Sequence, residues 1–200
     1  MEEEQLIDEI LILFIAGHET TSNTLTFTTQ LLAQHPEWQD KIYEEAVFAK
    51  ANSENLNEYL RKCILTKQVL EESMRLYPPA YFIDRVNLED DSYEKFNFPK
   101  GSSLLFSVKE IHRHPDFWKD PDRFDPTRFE NNAGMKHPAY FPFGAGPRMC
   151  IGNNFAMYEM IMAVTELVSK FKIKKKKTPI EIQPLITLKP KNAILEFESR

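Results

Sequence analysis

The chain has 200 residues, 42% of them apolar and 28% charged, the balance of an ordinary globular domain with room for a real core. Its net charge of −5 disfavours a nucleic-acid partner, because binding phosphate calls for a basic surface. Its two cysteines, Cys63 and Cys150, stand too far apart in sequence to suggest a disulfide framework, and the acidic start Met1-Glu2-Glu3-Glu4 is unlike a secretory signal.

Residues 4 to 34 read as one long helix, with Leu6, Ile10, Leu13, Phe14, Gly17, Thr21, Thr24, Leu25, Thr28, Leu31 and Leu32 at steps of three and four. The apolar run Ile10–Ala16 within it is too short to span a bilayer. The sequence Ala16-Gly17-His18-Glu19-Thr20-Thr21 then interrupts the apolar pattern. Gly17 costs about 1 kcal/mol relative to alanine in a helix interior. Hydroxyl residues here bond back to carbonyls one turn earlier and can bend the helix. An acid beside an alcohol at such a point suits proton delivery, and a solvated polar patch would use the same residues. His18 is read as structural, since no second histidine follows at metal-ligand spacing.

A second helix starts at Pro36 and runs to about Lys50, proline being at home in a first turn. After a polar break around Asn52, a third helix covers about Leu56 to Cys63. A fourth is expected to be capped by Thr66 and is stopped by Pro78-Pro79. Glu72 and Arg75 lie three apart on one face of it, which alone suggests an exposed ion pair. Phe82–Val86, Lys95–Phe98 and Ser103–Val108 read as strands of a small sheet. Residues 112 to 150 form a long loop rich in Pro, Gly, Asp, Asn and aromatics, and such loops are often functional. Trp38 and Trp118 read as packing residues, and Cys63 as an inert core cysteine. A last helix spans about Asn153 to Phe171, followed by the basic run Lys172 and Lys174–Lys177, read as a solvated loop. Strands near Ile180–Ile182 and Ala193–Phe197 end the chain. The fold class is mainly α with small β-sheets.

The most informative segment is Phe143-Gly144-Ala145-Gly146-Pro147-Arg148-Met149-Cys150-Ile151-Gly152. Its glycines allow tight turns and a close approach of backbone to a flat partner. The helix that follows directs its positive end and free N–H groups at the sulfur, a setting suited to an anionic thiolate ligand. Arg148 offers a fixed cation to a nearby anion. Zinc on cysteines is excluded by the lack of a second nearby Cys.

This segment resembles the cytochrome P450 signature, matched at Phe143, Gly146, Arg148, Cys150 and Gly152. The resemblance implies a partial cytochrome P450 fold and haem b, with the Cys150 thiolate as axial ligand to iron. Phe143 would then pack near the sulfur and Arg148 pair with a haem propionate. Residues 16–21 are similar to the family's oxygen-binding helix. That makes Glu19 and Thr20 the acid–alcohol pair, while Ala16 and Gly17 leave room beside the iron. Glu72 and Arg75 resemble the family's ExxR pair, and Phe124-Asp125-Pro126-Thr127-Arg128-Phe129 its PERF segment, with Thr127 where the family often has Glu. Glu72, Arg75 and Arg128 would form a buried triad. Arg85 would contact a propionate, and Pro79 to Ile83 would line a substrate pocket or pack in the core.

The function so implied is haem-thiolate monooxygenation of a small organic or lipid-like substrate, one atom of dioxygen entering the substrate and the other becoming water. No nicotinamide or nucleotide motif is visible, so electrons are expected from a separate ferredoxin or NAD(P)H-dependent reductase. Two alternatives stand beside this reading. A peroxide-driven hydroxylase is opposed by the intact Glu19-Thr20 pair. A non-catalytic haem-binding remnant is suggested by the length, since the family's members are about twice as long or longer. The chain is accordingly expected to be the C-terminal part, residues 1–200, of a single P450 domain, with uncovered apolar surface on its long helix. With no anchor visible, the expected location is cytoplasmic.

Overall fold

The structure is a computed structural model and describes residues 2–176 and 181–200. Four helices open it: α1 (Glu3–Gln34), α2 (Pro36–Ala51), α3 (Leu56–Lys62) and α4 (Ile64–Leu76). The helical periodicity predicts all four to within a few residues. The helix α1 runs unbroken through Ala16–Thr21 despite Gly17. Pro36 begins α2 as expected. The start of α4 corrects the expectation for Thr66. The helix begins two residues earlier, and Glu45 of α2 caps it from outside: its carboxylate accepts the Thr66 N–H at 2.9 Å and the Thr66 hydroxyl at 2.7 Å. The cap is thus a tertiary contact that local sequence does not display.

The middle of the chain holds β1 (Phe82–Val86), β2 (Asp91–Tyr93), β3 (Phe96–Phe98) and β4 (Ser103–Ser107), then a one-turn helix α5 (Val108–Ile111). β1 pairs antiparallel with β4, Arg85 opposite Leu104, while β2 and β3 form a separate hairpin. The long loop that follows contains a 3-10 turn over Pro126–Asn132, a short helix α6 (Ala133–Lys136) and a second 3-10 turn over Gly146–Arg148. α7 (Asn153–Lys170) leads directly into β5 (Phe171–Lys175), and β6 (Glu181–Pro184), β7 (Leu188–Lys191) and β8 (Leu195–Ser199) complete the chain.

β5 corrects the reading of the basic run as a loop. Lys172 and Lys174 alternate with buried Ile173, the period of a half-buried strand, and β5 pairs with β8 so that Lys174 meets Glu198. Lys177 of that run, and Ile180 of the expected strand, lie outside the described residues.

The core forms where α1, α2, α4 and α7 converge. Val69, Leu70 and Met74 of α4 pack with Leu31 and Leu32 of α1, Ile42 of α2, and Ile161, Val164 and Val168 of α7. Trp38 and Trp118 are both buried, and Cys63 is a fully buried free thiol that burial pushes up to about 11. Buried Gln39 ties two elements together. It donates to the Leu32 and Ile173 carbonyls and accepts the Ile173 N–H at 2.8 Å.

The first half of α1 contributes nothing to this core. Leu6, Ile7, Ile10, Leu11, Ile12, Leu13, Phe14 and Ile15 are all exposed, Phe14 by 69%. Among the described residues no helix is long and apolar enough to cross a membrane. An apolar surface of this size drives association in water. The 200-residue chain by itself is expected to self-associate in sedimentation velocity runs, and the double substitution Leu13→Lys, Phe14→Glu to shift it toward monomer.

Candidate active site

The residues named from the sequence fall into three groups: one on α4 and the loop after it, one at the N-terminus of α7, and one on α1. The first is the charge lock. Glu72 and Arg75 are fully buried, and Arg75 forks onto the carboxylate with Nε to Oε2 at 2.6 Å and Nη2 to Oε1 at 2.8 Å. Burial, not exposure, is therefore the setting of this pair. The other Arg75 donors reach the carbonyls of His112 at 3.0 Å, Pro121 at 2.6 Å and Arg123 at 3.2 Å. Glu72 Oε1 also accepts the Asp125 N–H at 2.8 Å. Arg128 joins more loosely, its Nε 3.6 Å from Glu72 Oε1 and its Nη2 donating to the Asp120 carbonyl. Burial pushes the Glu72 carboxyl above the ordinary range, and the Arg75 fork, the Asp125 N–H and Arg128 pull against it. Thr127 turns back on Asp125 through its hydroxyl and takes no part in the lock.

The second group is the thiol loop. Gly144 and Gly146 have φ of +75° and +69°, a region where a side chain is strained. The turn they permit is closed by backbone bonds from Gly144 N–H to the Phe141 carbonyl, Met149 N–H to Gly146, and Cys150 N–H to the Phe143 carbonyl at 2.9 Å. Phe143 is half-buried against the core, and the Cys150 thiol is exposed. Gly152 caps α7, and a side chain on it would come 3.9 Å from the sulfur. Ile83 of β1 approaches the same loop, within 4.0 Å of where a Gly144 Cβ would stand. Phe82, its neighbour in β1, is exposed and packs edge-on against Tyr81. Arg148 and Arg85 are both exposed, and neither pairs with a carboxylate among the described residues; Arg85 donates to its neighbour's carbonyl, Asp84.

The third group lies on α1. Ala16 and Gly17 are exposed, and among the described residues no atom outside the helix's own backbone and Gly17's chain neighbours comes within 4 Å of where a Gly17 Cβ would stand. The Thr20 hydroxyl donates to the Ala16 carbonyl at 2.7 Å. The Glu19 carboxylate accepts from the Thr187 hydroxyl at 3.0 Å, and that hydroxyl accepts from Asn23 at 3.1 Å. Lys189 of β7 stands 3.9 Å from the same carboxylate. His18 is exposed and stacks on Phe14.

Sequence reasoning missed Asn23, Thr187 and His112. Thr187 lies 168 residues from Glu19, and no local pattern signals the contact. His112 is fully buried, accepts the Phe141 N–H at Nε2 (3.0 Å), and lies against Tyr140 and Phe141. Burial pushes its ring down to about 3, with the charges of Arg75 and Arg113 acting in the same direction. Gly134 was missed as well: a side chain there would run into the Phe129 ring at 2.6 Å.

The fold falls among haem domains. Two crystal structures, of the cytochrome P450DA heme domain and of a triple mutant of it, superpose on all of this chain with TM-scores of 0.91 and 0.92 at 29% identity, the chain covering 46% and 45% of them. The family model for cytochrome P450 matches residues 1–197, and the chain belongs to the cytochrome P450 family. It is 38% identical over 196 residues to a cytokinin hydroxylase of Arabidopsis thaliana, covering 94% of this chain and 37% of that protein. It is 37% identical over 179 residues to a beta-amyrin 28-monooxygenase of Saponaria officinalis, covering 88% of this chain and 37% of that protein. The chain thus spans well under half the length of the relatives it matches.

The family implies a haem cofactor, and the residues present fit one. A soft thiol stands at the exposed edge of a rigid turn, and two exposed guanidiniums suit carboxylate partners.

Two predictions follow from the buried groups. Arg75→Leu strands a buried carboxylate and should cost about 3–5 kcal/mol, against about 1 kcal/mol or less for Arg128→Leu at the looser contact, read from urea midpoints. His112 stays neutral in the fold to about pH 3, whereas the unfolded chain takes up its proton near 6.5. Stability from this group is complete above pH 6.5 and should fall by about 1.4 kcal/mol per pH unit as the pH drops toward 3. The wild type should show this slope relative to His112→Gln in urea titrations at stepped pH.

Proposed function

We propose that residues 1–200 are the oxygen-binding-helix to C-terminal-strand part of a single P450 domain, and that this part carries the haem-thiolate chemistry of a monooxygenase. The observation that carries the reading is the Cys150 thiol, exposed at the end of a glycine-built turn that backbone bonds hold shut. Cys150 would hold haem b through its thiolate. Arg85 and Arg148 would pair with the haem carboxylates, Phe143 would lie beside the sulfur, and Gly146 and Gly152 would let the backbone approach the cofactor. Haem, when bound, supplies dioxygen activation, and thiolate donation favours cleavage of the O–O bond.

The chain's own residues manage protons and access. Thr20 Oγ1 holds a proton that it now donates to the Ala16 carbonyl, one turn back along α1. A small rotation of that side chain redirects the donor to the open side of Ala16 and Gly17. Glu19 is partly exposed, so its carboxylate exchanges protons with solvent and resupplies Thr20. Thr187, Asn23 and Lys189 hold that carboxylate in place. The pair Glu72–Arg75, with Arg128, keeps the approach to the thiol loop rigid.

The substrate is a small organic or lipid-like molecule, a class supported by the hydroxylase and monooxygenase names among the relatives and by apolar Ile83 beside the loop. Dioxygen is the co-substrate, and a separate ferredoxin or NAD(P)H-dependent reductase supplies electrons. The intact Glu19-Thr20 pair favours this over a peroxide-driven reaction.

In the haem-loaded protein the ferrous carbon monoxide complex should show the red-shifted Soret band of thiolate ligation, and Cys150→Ala should lose it. Persistence of that band in Cys150→Ala would disprove the ligand. Glu19→Gln should keep the band and lower turnover by about 100-fold, with an enlarged solvent isotope effect.

A further inference from the structure

We propose that His112 is a positioning residue for the thiol loop, joining the buried Arg75 to the backbone that presents Cys150. One residue makes both connections. Its carbonyl accepts from Arg75 Nη1 at 3.0 Å, and its ring Nε2 accepts the Phe141 N–H at 3.0 Å. Phe141 is where the loop begins. Pro142 has no N–H to give, so the Phe141 amide is the last backbone donor before Phe143. The Phe141 carbonyl accepts from Gly144 N–H, and the Phe143 carbonyl accepts from Cys150 N–H at 2.9 Å. A continuous path of bonds therefore runs from the Glu72–Arg75 fork through His112 to the sulfur-bearing residue.

The ring is suited to this and to little else. It is fully buried, stacked on Tyr140 with centroids 5.1 Å apart, and edge-on to Phe141 at 5.5 Å. Only a neutral imidazole has a bare Nε2 able to accept, and burial beside Arg75 and Arg113 keeps it neutral. Nδ1 faces the backbone of Met74 and Arg75 on α4, so the neutral ring that carries its proton there leaves Nε2 bare to accept.

This role rests on Cys150 being the iron ligand, and the test separates the two. In the haem-loaded protein, the rate at which the thiolate-ligated ferrous carbon monoxide form converts to the non-thiolate form is followed by absorbance in dilute urea. Cys150→Ala is the control, and its loss of the thiolate band establishes the ligand independently. His112→Leu strands the Phe141 N–H and should speed conversion about tenfold, the factor for one unsatisfied buried donor. His112→Gln places an acceptor at the Nε2 position and should stay within about threefold of wild type. His112→Asn reaches only the Nδ1 position and should behave like Leu. Hydrogen exchange at the Phe141 amide should rank the variants in the same order. If the leucine variant does not fold, the Gln and Asn pair still decides the matter. Equal conversion rates for Gln and Asn, or a wild-type rate in His112→Leu with only its melting temperature lowered, would overturn the role. A thiolate band surviving in Cys150→Ala would overturn the ligand and this role with it.

Discussion

A carboxylate and a guanidinium sit where no water reaches them, and the rest of the site is arranged around that fact. Taking Glu72 and Arg75 out of water costs several kcal/mol per charge, which their mutual attraction offsets only if the remaining lone pairs and N–H groups are also satisfied. They are satisfied by backbone. His112, Pro121 and Arg123 lend carbonyls to Arg75, and Asp125 lends an N–H to Glu72. Four points of an otherwise irregular segment are thereby stitched to α4. The pair does not need to add net stability to matter; it decides where residues 112 to 125 lie.

From that anchor the order spreads by packing. The Arg75 guanidinium lies over Trp118, Trp118 stacks on His137, and Phe129 and Tyr140 fill the space beside them. Gly134 is present because the Phe129 ring leaves no room for a side chain. Tyr140 closes the group by donating its hydroxyl to the Glu71 carbonyl of α4 at 2.9 Å. The thiol loop begins one residue later. Its own stiffness comes from two left-handed glycines and three backbone bonds, so the side chain of Cys150 is left without a structural task. A thiol so placed is free to be a ligand.

The helices and the thiol loop were legible because their signals are local. Periodicity marks α1, Pro36 marks the start of α2, and Pro78-Pro79 marks the end of α4. What escaped was decided across the fold. Glu45 caps α4 from a neighbouring helix, displacing the expected Thr66. The lysines of β5 read as a loop because charge is the louder signal, yet Ile173 between them is buried and β8 supplies Glu198 opposite. The family resemblance anticipated the burial of Glu72 and Arg75 but not the backbone groups of residues 112 to 125 that make it tolerable. Thr187 and His112 carry no motif at all, since their partners are distant in sequence.

The helix α1 shows how one element serves two surroundings. Its second half is buried and carries Thr21, Thr24 and Thr28, residues that burial ordinarily penalises. The penalty is avoided because Thr24 and Thr28 donate to carbonyls four residues back, and Thr28 Oγ1 also shares a hydrogen bond with the Ser73 hydroxyl of α4, which donates to it. Its first half is apolar and exposed. The residues proposed to handle dioxygen and protons, Ala16 to Thr20, fall at the boundary between these halves, where exposure gives way to half-burial. A proton route needs one end in contact with water and the other fixed to a rigid body. Glu19 meets both conditions, being open to solvent on one side and held by Thr187 on the other. The position of the acid along the helix therefore follows from where burial begins, and the packing of that half of α1 against α4 gives it a fixed base.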